Sequence, residues 1–296
     1  MWGIRIVLLM ALAHACAAAE FSVATYNLHN YLVRPAEGRK AKPEASKAKV
    51  FEILATLRAD VVALQEVGGS DALEELRRRL SSQGVDYPFR ELLPARDPAI
   101  QLAVLSRLPI VAVRAHTNDQ FLVEGSRQWV RRGLLEVEIE TAPSHRLILL
   151  VAHLKSKRDV PYARESELRK NEASVLRRRV EAILTVNPAA HLMVAGDLND
   201  TPDSTAVRLV TGRGERALTD SSPPVRSFGD APASPGENWT HFYKRAAEHS
   251  RLDYILLSPA LAGNLRPDNS YTVDFPGWFE ASDHRPIVVA CSVGEP

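Results

Sequence analysis

The sequence predicts an α/β fold in which two β-sheets pack together and helices cover the outside. Three observations support it. Short β-rich runs recur along the chain, amphipathic helical patterns lie between them, and no linker divides the chain into two domains. With 296 residues, 45% of them hydrophobic, the chain has material for one large core.

In chain order, residues 21–26 alternate as a strand does. A charged stretch from Arg34 to Lys49 reads as a loop running into a helix with Val50, Phe51, Leu54 and Leu57 on one face. A strand at 61–65 and a helix at about 72–80 follow, then strands at 102–105, 110–113, 134–139 and 147–152. A long helix spans about 164–184, with Leu168, Val175, Leu176, Ile183 and Leu184 inward. The last third holds strands at 192–195, 254–257 and 287–290, and the Pro-, Ser- and Gly-rich segment 221–239 reads as an exposed loop.

Composition narrows the class. A 25% charged fraction with ordinary Gly and Pro counts excludes collagen-like, coiled-coil and wholly disordered chains. The net charge of +1 argues against a protein that coats nucleic acid, yet allows a local phosphate site. Residues 1–19 read as a secretory signal: Arg5 in a short cationic start, an apolar run over 6–13, and Ala15-Cys16-Ala17-Ala18-Ala19 before the cleavage point. The run is too short to span a bilayer, which takes about 20 residues. The expected mature unit is one domain, residues 20–296, exported to a periplasm or secreted, monomeric and without a transmembrane helix. Removing the signal balances its charges. A lipid on Cys16 is disfavoured by His14 and Ala15 before it. Cys291 then stands alone, so no internal disulfide or thiolate zinc site can form, and its apolar neighbours make it a small core residue.

The polar residues are more informative. Several apolar runs end in a single chemically capable side chain: Asn27 after the first strand, Glu66 after 61–65, His153 after 147–152, and Asp197 and Asn199 after 192–196. Asp253 opens the run 254–257, and Asp283-His284 precedes 286–289. Each alone has a plain explanation: a Gly-Asp-Leu-Asn turn, a solvated strand end, a backbone-bonded histidine, an Arg251–Asp253 ion pair. Recurrence in order along the chain is what points to a shared cleft.

Thr25-Tyr26-Asn27-Leu28, Leu64-Gln65-Glu66-Val67, Ala152-His153-Leu154-Lys155-Ser156, Gly196-Asp197-Leu198-Asn199, Arg251-Leu252-Asp253-Tyr254 and Ser282-Asp283-His284-Arg285-Pro286 resemble the motifs of the endonuclease/exonuclease/phosphatase superfamily. The segment 104–110 fits as well, and the likeness spans about 21–289. The resemblance implies a four-layered α/β sandwich of two packed mixed sheets and hydrolysis of phosphate esters with Mg²⁺ or Mn²⁺. It implies Glu66 as principal metal ligand, with Asn27 and Asp283 beside it. His284, oriented by Asp253, would contact the scissile phosphate. Asp197 and Asn199 would orient the attacking water, and His153 would donate to a phosphate oxygen. Whether Asp197 or His284 is the general base, and whether one metal or two act, stays open. Hard oxygen ligands suit such cations, and an anionic diester needs its charge neutralised and a water placed in line.

Other features bear on substrate. Where apurinic endonucleases of this superfamily often carry an acidic residue, this chain has His29, which puts a second-metal role there in doubt. Arg132 is expected to reach the substrate phosphate, and Lys155, with Lys157 and Arg158, to form an anion-attracting lip. Trp239-Thr240-His241-Phe242-Tyr243 offers aromatics for stacking a base or for packing a wall. The early Asp-x-His and the Gly-Asn-His of calcineurin-like phosphatases are missing, as is a Gly-x-Ser-x-Gly elbow. The expected activity is an exported endonuclease or phosphodiesterase acting on a phosphate ester, nucleic acid among the candidates. Alternatives are a lipid or inositol phosphatase or sphingomyelinase-type enzyme of the same fold, or a non-catalytic binding module.

Overall fold

The computed structural model describes residues 20–230 and 237–293. The signal assigned to residues 1–19, Cys16 included, lies outside the described residues. Strand β1 (Glu20–Tyr31) leads through helix α1 (Glu44–Leu57) to β2 (Val61–Val67), α2 (Ser70–Ser82), β3 (Phe89–Leu93), β4 (Gln101–Ser106) and β5 (Ile110–His116). A hairpin of β6 (Gln120–Val123) and β7 (Ser126–Trp129) precedes β8 (Leu134–Ala142), β9 (His145–His153), α3 (Glu165–Val186) and β10 (His191–Asp197). Next come α4 (Thr205–Thr211), the short strands β11 (Thr219–Asp220) and β12 (Val225–Ser227), and a hairpin of β13 (His241–Tyr243) and β14 (Glu248–Ser250). The chain continues through β15 (Asp253–Leu257), α5 (Pro259–Ala262), β16 (Tyr271–Asp274), α6 (Trp278–Ala281) and β17 (Ile287–Ser292).

Two mixed sheets result, ordered β12-β16-β17-β1-β2-β4-β3 and β11-β15-β10-β9-β8-β5. The first sheet has two parallel pairs, β1 with β2 and β12 with β16, and the second has one, β9 with β10; the other pairings are antiparallel. Side chains alternate across a strand, so consecutive apolar residues supply two different cores. Val61 and Ala63 of β2, with Leu149 and Val151 of β9, face the layer between the sheets. Val62 and Leu64 pack outward with Val50, Phe51 and Leu54 of α1 and Leu73 and Leu76 of α2. Leu150 and Ala152 pack outward with Leu176 and Val180 of α3 and Val207 of α4. Three apolar layers separate four layers of structure, the α/β sandwich expected. Cys291 is buried between the sheets. Among the described residues no helix is long and apolar enough to cross a membrane.

The strands flanking these cores extend the expected ones by a few residues, and α1 begins at Glu44, inside the stretch read as a loop. Segment 221–239 is corrected in part: β12 pairs in parallel with β16 through Val225–Ser227, and residues 231–236 lie outside the described residues. β12 is a three-residue edge strand with no fully buried position, so hydrophobic patterning carries no trace of it.

Close approach of β9 and β10 requires glycine at 196. Gly196 has φ +139°, and a Cβ there would sit 1.9 Å from the Ala152 carbonyl oxygen. Gly196→Ala is therefore expected to cost about 3 kcal/mol or more. Urea unfolding measures it, and a loss below about 1 kcal/mol would show that this contact does not constrain the sheet.

Candidate active site

Strand register builds the site. In the second sheet Asp197 of β10 is paired with His153 of β9 on one side and with Asp253 of β15 on the other. Three chemically capable residues thus lie in one row across three strands. In the first sheet the parallel pair β1 and β2 sets Asn27 opposite Gln65, one residue before Glu66. The turn before β17 adds Asp283 and His284. Asn27, Glu66, His153, Asp197, Asn199, Asp283 and His284 line one cleft of about 460 Å³, and Asp253 lies directly behind His284. Every expected catalytic and metal residue is brought together.

Breaks in register near the ends of β1 and β2, and the turn after β10, aim these groups. His29, Asn30, Glu66 and Asn199 have φ of 46°, 55°, 63° and 55°, left-handed conformations uncommon outside glycine and least expected at Glu66. They are held by specific bonds. Asn30 N–H donates to Glu66 Oε2 at 2.8 Å, and the buried Lys42 ammonium donates to the carbonyls of Leu28 (3.0 Å) and His29 (3.2 Å). Ser282 Oγ donates to the Asn27 carbonyl at 2.7 Å and accepts His284 N–H at 3.1 Å, tying the turn before β17 to β1 at the rim. Thr240 Oγ1 accepts the N–H groups of Leu252 and Asp253, both at 3.0 Å, and so places Asp253. Arg251 pairs with Asp220, which leaves Asp253 to the imidazole.

His284 Nδ1 lies 2.7 Å from Asp253 Oδ2, and its Nε2 lies 3.8 Å from Asp197 Oδ2. Burial alone would lower the imidazole pKa, but the carboxylates of Asp253, Asp197 and Asp283 overcome it and lift the pKa to about 10. His284 is therefore a cation at neutral pH. Asp197 is pushed up from the usual carboxylate range, first by burial and then by Asp253, while His284 opposes the rise. Its Oδ2 accepts from Asn27 Nδ2 (3.0 Å) and Asn199 Nδ2 (3.2 Å). His153 goes the other way: burial, then Arg132 and His284, hold it well below the usual imidazole range, so it is neutral. His153 Nε2 lies 3.4 Å from Asp197 Oδ2.

One wall is basic. Arg132 lines the cleft from a nearly buried position, and its Nη1 donates to the Leu154 carbonyl at 2.8 Å. Lys155 also lines it, but its ammonium donates to the carbonyls of Ser156 (2.8 Å) and Arg158, so this lysine braces its own loop. Buried Glu172 of α3 accepts the N–H groups of Arg131 (3.3 Å) and Lys155 (2.6 Å), joining the two loops of that wall. On the opposite side the aromatic segment divides. Trp239 packs under the Arg285 guanidinium, 3.3 Å away, and against Trp278, whereas His241 faces the cleft with its ring 4.7 Å from that of His284. His29 Nδ1 lies 3.5 Å from Asp283 Oδ1 at the rim.

The roles of His241, Lys42, Thr240 and Glu172 were not expected from sequence, although Thr240 and His241 lie in the segment noted for its aromatics. His241 sits in a three-residue strand with no apolar run before it, and the other three act through main-chain groups that no motif displays. The donor set fits a hard divalent cation. Glu66 offers a carboxylate with no Lys or Arg partner among the described residues, and Asn27 and Asp283 add oxygens beside it.

The electrostatics yield a pH expectation for the metal-free protein. Because its pKa is raised, His284 should stay protonated as pH passes through the usual imidazole range. Asp253→Asn removes the nearest charge and should bring its titration down. Imidazole NMR measures both, and titration of His284 in the usual range in the unsubstituted protein would contradict the assignment.

Solved structures with the same fold include a humanized D. rerio TDP2 carrying 14 mutations, 19% identical with TM-score 0.65 over 93% of this chain and 100% of that one. The human nocturnin catalytic domain with a bound sulfate anion is 16% identical, TM-score 0.64, over 93% and 95% of the two chains. Sphingomyelinase C from Streptomyces griseocarneus is 19% identical, TM-score 0.59, over 92% and 99%. No curated protein matches the chain in sequence. At these identities the likeness shows the fold. Residues 24–284 match the endonuclease/exonuclease/phosphatase family, whose members are generally metal-dependent phosphoesterases, and the chain belongs to that family.

Proposed function

We propose that the protein is an exported phosphodiesterase, with nucleic acid the favoured substrate, acting by direct attack of water. The observation that carries this reading is the His284 ring held between Asp253 and Asp197 on the floor of a cleft that also presents Glu66. A divalent cation at Glu66, with Asn27 and Asp283 beside it, Mg²⁺ or Mn²⁺, would withdraw charge from the scissile phosphate. His284 Nε2–H donates to a non-bridging oxygen and stabilises the charge that develops there. Neutral His153 donates to a second oxygen.

Of the two candidates for the base, Asp197 fits. His284 is already protonated and has no lone pair to offer, while a carboxylate with a raised pKa accepts a proton from water more readily. Asn27 and Asn199 fix the orientation of the Asp197 carboxylate. Arg132 strengthens the positive field at the phosphate. Export is supported by the n-region, apolar run and small-residue end of residues 1–19.

The test is turnover by residues 20–296 on supercoiled plasmid DNA and on bis-para-nitrophenyl phosphate, with Mg²⁺, Mn²⁺ or chelator. Expected are metal-dependent nicking and diester cleavage, with loss of at least about a thousandfold in Asp197→Ala and His284→Ala at unchanged fold. Near-normal turnover in either variant would overturn the site assignment. Cleavage of the small diester with intact plasmid would redirect the substrate to lipids or small esters, and inactivity on both would favour a binding module.

A further inference from the structure

Beyond Arg132 the cleft continues along a wall that none of the proposed chemical steps uses. Arg39, Asp97, Arg131 and Arg158 line it. Asp97 organises them. Its side chain is nearly buried, its Oδ1 accepts the Ala99 N–H at 3.2 Å, and its Oδ2 lies 3.3 Å from Arg39 Nη2 and 3.8 Å from Arg131 Nη2. Two guanidiniums thus share one carboxylate, so the pair keeps a surplus positive charge. A guanidinium has five N–H donors, and Asp97 occupies only a small part of the ten available.

The main chain at both arginines is fixed before any ligand arrives. Arg39 exchanges main-chain hydrogen bonds with Ala36 at 2.9 and 3.1 Å, and Arg131 N–H is held by buried Glu172. Arg158 adds a further positive charge, which Asp159 partly offsets. The wall therefore gathers guanidiniums around one carboxylate in the same cleft that holds the acidic floor of Asp197 and Asp283. Planar forks match phosphate in geometry as well as charge.

We propose that the Arg39–Asp97–Arg131 wall is a subsite for a second phosphate, and that the preferred substrate is a nucleotide strand bearing another phosphate beside the scissile one. The proposal rests on the phosphodiesterase reading and specifies its substrate. A choline headgroup, which is cationic, is repelled by this wall. A phosphate on the neighbouring nucleotide is attracted.

Calorimetric binding to residues 20–296 in Mg²⁺ tests it, with thymidine 3′,5′-bisphosphate, thymidine 5′-phosphate, thymidine 3′-phosphate and inositol 1,4-bisphosphate as probes. The nucleoside bisphosphate should bind at least about tenfold tighter than either monophosphate, with a steeper salt dependence. Arg39→Gln and Arg131→Gln should each cut that advantage to below about threefold without changing affinity for the monophosphates, and Arg131→Lys should restore part of it. A bisphosphate no tighter than the monophosphates, or an advantage that survives both Gln variants, would overturn the subsite. Tighter binding of the inositol bisphosphate would overturn its nucleotide assignment. Failure of the parent reading looks different: bis-para-nitrophenyl phosphate would remain uncleaved while the bisphosphate advantage and its loss in the variants stood.

Discussion

The structure depends on one electrostatic arrangement: the His284 imidazolium enclosed by Asp197, Asp253 and Asp283 at the rim of two packed sheets. Asp197, Asp253 and His284 are almost completely buried. A buried charge without a partner costs several kcal/mol, so none of these groups is tolerable alone. The cluster therefore stands or falls as a unit. Its geometry follows from register, since shifting a strand by one residue would turn its side chains to the opposite face. The pairing of Asp197 with His153 and Asp253 is thus a condition of the chemistry as well as of the sheet.

The rest of the fold serves that register. Three apolar layers fix four layers of backbone, and the sheets supply their polar groups at one shared rim. A break in the register of β2 and the turn after β10, both left-handed, then aim Glu66 and Asn199 into the cleft. The Glu66 carboxylate accepts the Asn30 N–H, Asp197 accepts the Asn199 N–H, and Lys42 holds the carbonyls of Leu28 and His29. Backbone strain of this kind costs about 1–3 kcal/mol per residue and survives where surrounding bonds over-determine the conformation. The cleft divides into an acidic floor and a basic wall, which is how a protein with nearly balanced charge can offer a concentrated anion site.

Much of this was legible in the sequence, for physical reasons. β2, β9, β10 and β15 are buried on both faces and so read as continuous apolar runs, and the residue ending or opening each run stood out. The helices α1 and α3 showed their buried faces by spacing, although α1 starts earlier than expected. Less legible were β6, β7, β12, β13 and β14, short strands stabilised by their pairing partners rather than by burial. Within the site, the residues that act through main-chain contacts left no pattern: Lys42 on two carbonyls, Thr240 on two N–H groups, Glu172 on two more. Lys155 shows the converse case. Its position beside His153 suggested a phosphate contact, and the structure turns its ammonium onto its own loop.

The central claim is that the cluster orients a single water for in-line attack on phosphorus, with no protein nucleophile. The stereochemical course of hydrolysis tests this most directly, using a diester made chiral at phosphorus by sulfur and ¹⁸O. One displacement by water inverts the configuration, and inversion is the predicted result. Retention would require two displacements through a covalent phosphoryl-enzyme intermediate, and would contradict the roles given to Asp197 and His284.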